Sequence, residues 1–251
     1  MNQLAKHLAA LLAVLLWSAP TVAQTAVDTA LVLAVDASGS IDEAEFRLQK
    51  EGIALAVTDK RVLAAIQSGP LQRIAIAYVE WGGPGMAQTV VDWAIVDGQG
   101  SAQAFAQAVL AAPRSVQSYN AIGDVLVHAT ALLQKCPCEP ARAVIDVSGD
   151  NPDNRSIVPA PAARDAAADA GITINALAIL QTDALGPSGR PLLVENYESE
   201  VIAGPGAFVI AAQDRSDFAR ALLQKMVLEI ANLMPAQIPS WTKGALTALR
   251  R

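Results

Sequence analysis

The chain has 251 residues, of which 53% are hydrophobic, and a formal net charge of −6 at pH 7. This length is sufficient for one α/β domain with a sizeable core. The acidic balance argues against nucleic acid as a partner, because binding to a phosphate backbone depends on clustered Lys and Arg side chains.

The first 23 residues have the pattern of a secretory signal peptide. Lys6 precedes an apolar run from Leu8 to Trp17, and small residues at Thr21–Ala23 precede a cleavage point. The run is shorter than the about 20 residues that a membrane helix needs, although an uncleaved anchor is the alternative. We therefore predict a signal peptide at 1–23 and a periplasmic or secreted protein, with no integral membrane span after cleavage.

Strand and helix patterns alternate along the remaining chain. They predict strands at 31–35, 73–81, 88–93, 143–148, 172–179 and 207–211, of which 73–81 and 88–93 form a hairpin. They predict helices at 42–57, 101–110, 118–134, 162–170 and 216–233. Phe218, Leu222, Met226 and Ile230 form an i,i+4 stripe on the final helix, which should pack on a sheet.

This alternation predicts an α/β fold with a doubly wound, mostly parallel sheet and helices on both faces. The hairpin adds one antiparallel edge strand. We expect one domain over 24–240 and a C-terminal tail at 241–251, and we leave open whether 183–196 is an ordered loop. Ligands of such sheets bind beyond the carboxyl ends of the strands, where the strand order reverses.

Oxygen-bearing side chains follow the first predicted strand, in the stretch Asp36-Ala-Ser-Gly-Ser40. Asp36, Ser38 and Ser40 alternate and so could face one point, and Gly39 permits a tight turn. Hard divalent cations take oxygen ligands of this kind. An ordinary turn is the alternative, because Ser and Asp side chains also bond to nearby backbone groups.

Together with a polar residue opening the helix at 118–134 and Gly149-Asp150 after a later strand, this stretch resembles a von Willebrand factor type A domain. The resemblance implies a Rossmann-like fold and a metal-ion-dependent adhesion site. It assigns Asp36, Ser38 and Ser40 as metal ligands from the first loop. The family's fourth strand usually ends in Thr-Asp-Gly, and here Asp150 takes the acidic position.

The second site loop departs from the family pattern. The family usually has Thr near the helix start, whereas matching the segment 121–126 places Asn120 there. The amide oxygen of Asn120 can ligate a hard cation, and Ser118 is a fallback ligand. The resemblance extends from Asp28 to Leu233, and the segments 78–81, 144–150 and 201–209 look like a bacterial group of exported type A proteins of unknown function.

The resemblance implies a function in binding without bond-making chemistry. A divalent cation, Mg²⁺ or alternatively Mn²⁺ or Ca²⁺, would capture an Asp or Glu side chain of a partner protein. A structural or scaffolding domain with a degenerate metal site is one alternative. A metal-dependent hydrolase is disfavoured, because His128 lies two turns along its predicted helix from Asn120 and no G-x-S-x-G elbow is present.

Three further features concern structure more than chemistry. Cys136 and Cys138 could form a disulfide, remain free, contact a soft metal or pair with another chain, and we favour a local structural or redox-labile pair. Asp146 lies in the middle of a strand, where a carboxylate is costly unless paired, so we expect a buried donor beside it. Glu80 and Trp81 are expected to support the hairpin.

Overall fold

The computed structural model describes residues 24–115, 118–181 and 184–232. The predicted signal peptide at 1–23 and the predicted tail at 241–251 lie outside the described residues. The same is true of residues 233–240, with which the predicted domain ends.

Eight strands and seven helices form in the described part of the chain. The strands are β1 Thr25–Val27, β2 Thr29–Asp36, β3 Ile74–Trp81, β4 Gln88–Val96, β5 Cys138–Pro140, β6 Ala143–Gly149, β7 Ile172–Ile179 and β8 Val209–Ala212. The helices are α1 Glu43–Thr58, α2 Lys60–Gln67, α3 Gln99–Ala111, α4 Ile122–Gln134, α5 Ala160–Asp169, α6 Leu192–Glu200 and α7 Phe218–Ile230.

All six predicted strands and all five predicted helices form, with shifted ends. The largest shift is at α4, which begins at Ile122 rather than at 118, so Asn120 lies in the loop before the helix. The sequence prediction missed α2 and α6, together with the short pair β1 and β5. Helix α6 begins inside the segment 183–196, which the sequence left unassigned.

The main sheet has the strand order β4-β3-β2-β6-β7-β8. Every neighbouring pair is parallel except β3 with β4, which is antiparallel at the edge. This confirms the predicted doubly wound sheet. The order reverses at β2, which lies between β3 and β6, and the crevice at the carboxyl end of β2 is where ligands of such sheets bind.

The sheet is covered on both faces, which is why β2 is apolar between Thr29 and Asp36 and all eight of its residues are buried. One face packs against α1, α2, α3 and α7, and it includes Leu31 and Leu33. The other face packs against α4, α5 and α6, and it includes Ala30 and Val32. The predicted stripe of α7 is buried in the first of these clusters.

The hydrogen bonds at the start of helix α1 also fix the loop before it. The Asp42 side chain accepts a hydrogen bond from the backbone N–H of Glu45, and the Glu45 side chain accepts one from the backbone N–H of Asp42. This reciprocal arrangement satisfies donors that the first turn of a helix leaves without partners. It therefore fixes one end of the segment 37–42, which connects β2 to α1.

The expected partner of Asp146 is Lys225 of α7. Lys225 Nζ lies 2.7 Å from Asp146 Oδ1 and 2.6 Å from Glu229 Oε1, and all three side chains are buried. Asn175 Nδ2 donates to the same Glu229 oxygen at 2.9 Å. Burial first, and the charge of Asp146 second, raise the pKa of Glu229 to about 8. This cluster ties α7 to β6 and β7 through one cation between two acids.

Cys136 and Cys138 are joined by a disulfide bond. Both lie buried in the cluster that covers the α4 face of the sheet. The bond lies where β5 begins to pair with β1. In the described part of the chain, no helix combines the length and the apolar character needed to cross a membrane.

Replacing the shared cation should destabilise the fold strongly. Lys225→Met leaves Asp146 and Glu229 facing each other in the core, and we expect a loss of about 3–5 kcal/mol in the free energy of unfolding. Urea unfolding followed by circular dichroism measures this loss. The exposed Lys60→Met is the matched control and should change stability by less than about 0.5 kcal/mol. Equal losses in the two variants would contradict the role given to Lys225.

Candidate metal centre

The two predicted acidic ligands reach the same edge of the sheet because their strands are neighbours in register. Val35 of β2 pairs with Ser148 of β6, so Asp36 and Asp150 follow at adjacent strand ends. Asp36 is fully buried and Asp150 is 5% exposed. The structure therefore brings two carboxylates together at the point where the strand order reverses.

The first loop directs its side chains towards Asp150. The Ser38 backbone N–H donates to Asp36 Oδ1 at 2.8 Å, and the hydroxyls of Ser38 and Ser40 lie 3.1 Å apart. Ser40 Oγ in turn donates to Asp150 Oδ2 at 3.4 Å. These contacts connect four of the five predicted ligands into one continuous group.

The fifth predicted ligand, Asn120, is held in the neighbouring loop. The Gly39 backbone N–H donates to the Ser118 carbonyl at 2.9 Å, which ties this loop to the first one. The backbone N–H of Asn154 donates to the Asn120 carbonyl, also at 2.9 Å, which ties it to the loop after β6. The fallback ligand Ser118 has its hydroxyl beside Gly83, where an added Cβ would approach it to 2.7 Å.

Among the five predicted ligands, two side-chain oxygens are buried without a hydrogen-bond partner in the described residues. They are Asp36 Oδ2 and Asn120 Oδ1. Leaving such atoms unsatisfied is unfavourable in a folded protein. Burial first, and the nearby Asp150 second, raise the pKa of Asp36 to about 7. Among the described residues, no cationic side chain offsets this rise in the pKa of Asp36.

Asp150 has the opposite environment, because donors surround it. Asn151 Nδ2 donates to its Oδ1 at 2.7 Å. Its Oδ2 accepts from Gln181 Nε2 and from Arg215, whose Nη2 lies 2.6 Å away. Sequence reasoning missed Gln181 and Arg215. Neither carries a motif, and they reach Asp150 only through the ends of β7 and β8.

Arg114 supports the first loop from behind and was also missed. Its Nη2 donates to the carbonyls of Ala37, Ser38 and Ile41 at 3.0, 3.1 and 2.8 Å. Its guanidinium also lies over the Phe46 ring, 4.7 Å from the centroid. One side chain thus holds the turn that carries Ser38 and Ser40.

Glu80 and Trp81 lie at the end of β3, and Glu80 pairs with Gln88 of β4 across the hairpin. Glu80 is buried and accepts hydrogen bonds from the Ser115 backbone N–H at 2.7 Å and the Tyr78 hydroxyl at 3.0 Å. The Trp81 carbonyl accepts from the Ala37 backbone N–H at 2.8 Å. Both residues therefore also contact the loops at the site.

The donor set fits a hard divalent cation. It consists of two carboxylates, two hydroxyls and one amide oxygen, all of the type that Mg²⁺ and Ca²⁺ take. Within residues 24–115, 118–181 and 184–232, no group of three or more His, Cys, Asp or Glu side chains could hold a metal. A metal here would therefore depend on the hydroxyls and the amide as well as on the acids.

His128 lies apart from this group. Its Nε2 is 2.9 Å from Thr89 Oγ1 on the edge strand β4. Burial lowers the pKa of the imidazole, so the ring is neutral at pH 7.

The model of the family described as "Protein of unknown function (DUF1194)" matches residues 26–234 of this chain. No curated protein matches this chain.

Similar solved structures confirm the von Willebrand factor type A fold. The pilus adhesin SpaC from Lactobacillus rhamnosus GG is 16% identical, with a TM-score of 0.56 over 83% of this chain and 30% of that one. Proximal thread matrix protein 1 from the mussel byssus, with a zinc-occupied MIDAS motif, is 19% identical, with a TM-score of 0.57 over 82% and 46%. A von Willebrand factor type A structure from Catenulispora acidiphila is 18% identical, with a TM-score of 0.53 over 82% and 43%. The chain thus spans less than half the length of these structures.

The buried carboxyl group of Asp36 should make the metal-free protein less stable as the pH rises. Its pKa is raised from 3.8 to about 7, so between these values the folded state holds a proton that the unfolded state has released. The contribution of Asp36 to stability is therefore fully present below the lower value and is lost as the pH rises to the upper one, by on the order of 2–4 kcal/mol.

Urea unfolding in EDTA across this pH window measures the slope. Asp36→Asn should reduce this slope, leaving the part that comes from the raised pKa of the buried Glu229, whereas the exposed Asp92→Asn should leave it as in the wild type. Equal slopes in the wild type and Asp36→Asn would contradict the environment described for Asp36.

Proposed function

We propose that this chain, which belongs to the family described as "Protein of unknown function (DUF1194)", is an exported, metal-dependent protein-binding module. It holds a divalent cation through Asp36, Ser38, Ser40, Asn120 and Asp150, and it captures an acidic side chain of a partner protein. The proposal is carried by one observation. Buried oxygens of Asp36 and Asn120 have no hydrogen-bond partner in the described part of the chain, and their loops are tied together at the carboxyl end of β2.

The charge of the donor set favours capture of an acid. Asp36 and Asp150 together balance a dication, while Ser38, Ser40 and Asn120 contribute neutral oxygens. A bound Mg²⁺, Mn²⁺ or Ca²⁺ would supply positive charge and a coordination position for a carboxylate from outside. The chain's own residues orient the oxygens, and Arg114 keeps the first loop in place.

Export is supported by independent features. The sequence predicts a signal peptide, and the buried Cys136–Cys138 disulfide is typical of an oxidising compartment. Two of the similar structures are a pilus adhesin and a byssus matrix protein, and such proteins bind outside cells.

We also propose that the chain is not an enzyme. A hydrolase that used Ser38 or Ser40 as its nucleophile would need a base within hydrogen-bond reach. His128 Nε2 instead lies 2.9 Å from Thr89 Oγ1 on the edge strand β4. A scaffolding domain with a degenerate site is the remaining alternative, and metal titration separates it from the binding module.

Calorimetric titration of the exported domain with Mg²⁺, Mn²⁺, Ca²⁺ and Zn²⁺ tests the ligands. We expect a Kd between about 1 μM and 1 mM for at least one ion. Asp36→Ala and Asp150→Ala should each weaken binding by at least about tenfold, which is about 1.4 kcal/mol. Asp92→Ala is the control and should bind like the wild type. Wild-type affinity in both site variants, or no binding by the wild type, would contradict the metal site.

Capture of a partner tests the function itself. The immobilised domain should retain a protein from an envelope extract of the source organism in the presence of the metal. It should release that protein in EDTA, because the partner's carboxylate would lose the ion that bridges it. Asp36→Ala is the control bait and should retain nothing above background. Retention that is unaffected by EDTA would favour the scaffolding alternative.

A further inference from the structure

A guanidinium group already stands beside one carboxylate of the candidate metal centre. Arg215 lies in the 3₁₀ turn Arg215–Asp217 between β8 and α7. Its Nη2 is 2.6 Å from Asp150 Oδ2, and the two side chains are 16% and 0% exposed. Salt screens such a pair much less than it screens exposed charges.

Two other elements hold this guanidinium in place. Arg215 Nε is 2.9 Å from Glu45 Oε1, and Glu45 is itself fixed because its side chain also caps α1. On the other side, the turn that carries Arg215 is closed by Asp214, whose Oδ1 accepts from the Asp217 backbone N–H at 3.1 Å. The position of the guanidinium therefore follows from α1 and from the turn after β8, independently of Asp150.

The two carboxylates therefore differ in the number of hydrogen-bond donors around them. Asp150 accepts from Arg215, Gln181 and Asn151, whereas Asp36 Oδ2 accepts from no described residue. The charge of Asp150 is thus already matched, and a dication that uses Asp150 must share it with a neighbouring positive charge. Like charges a few ångström apart oppose each other even when partly screened.

We propose that Arg215 is a built-in counter-ion of Asp150, which stabilises the metal-free site and weakens its affinity for the divalent cation. This inference rests on the proposed metal-dependent function and adds the residue that sets its affinity. It gives the site a metal affinity lower than its five oxygens alone would provide. The site then fills only where the divalent cation is abundant.

The first arm of the test is calorimetric titration with Mg²⁺ or, if Mg²⁺ does not bind, with Mn²⁺. Arg215→Gln removes the charge and keeps a polar side chain, and its Kd should be about tenfold lower than that of the wild type. Arg215→Lys keeps the charge and should stay close to the wild type. Arg220→Gln is the matched control, since it also removes one Arg charge from a salt bridge, in this case with Asp217 at the end of the 3₁₀ turn.

The second arm is a double-mutant cycle in EDTA, which needs no metal. Arg215→Gln should lower the Tm by about 2–6 °C in the wild-type background, because Asp150 loses its counter-ion. In the Asp150→Asn background the same change should lower the Tm clearly less, because only the pair with Glu45 is then lost. Equal effects in both backgrounds would overturn the counter-ion role, whatever the metal titration gives.

The two arms separate this inference from the proposed function. If the wild type binds the metal and Arg215→Gln binds it no more tightly, the inference is overturned and the metal site stands. If only Arg215→Gln binds, the inference is supported and the metal-dependent function of the natural chain is overturned. If neither binds, both are overturned.

Discussion

The proximity of two carboxylates in a place with little water is the constraint on which the rest of this site depends. Asp36 and Asp150 come from neighbouring strands, so the register of β2 with β6 brings them together regardless of the loops. Their repulsion requires compensation. Asp150 obtains it from Arg215, Gln181 and Asn151, whereas Asp36 retains a raised pKa and an oxygen without a partner.

The scaffold around this pair holds it together against that repulsion. Arg114 binds three carbonyls of the first loop, and Glu80 fixes the backbone at Ser115. Behind them, β2 is buried on both faces, so the strand ends have little freedom to separate. A rigid site with buried, unsatisfied oxygens is suited to a divalent cation, because the oxygens need little rearrangement to ligate it.

The sequence predicted the features that depend on local pattern. The apolar run of β2 followed by Asp36 gave the strand and the loop, and the mid-strand position of Asp146 indicated a buried donor. That donor, Lys225, could not be identified, because its helix meets β6 only through the tertiary fold. Arg215 was missed for the same reason. Helix α6 was missed because it has a mixed composition without a clear apolar stripe, and the contact of Glu80 with Ser115 was missed because Ser115 lies in a different loop.

Anomalous diffraction from crystals grown with Mn²⁺ tests the central claim most directly. The account predicts one strong anomalous peak at the carboxyl end of β2, with oxygens of Asp36 and Asn120 among the atoms within about 2.0–2.6 Å of it or joined to it through one water. A fully occupied ion elsewhere, with Asp36 and Asp150 unchanged and no peak between them, would contradict the account.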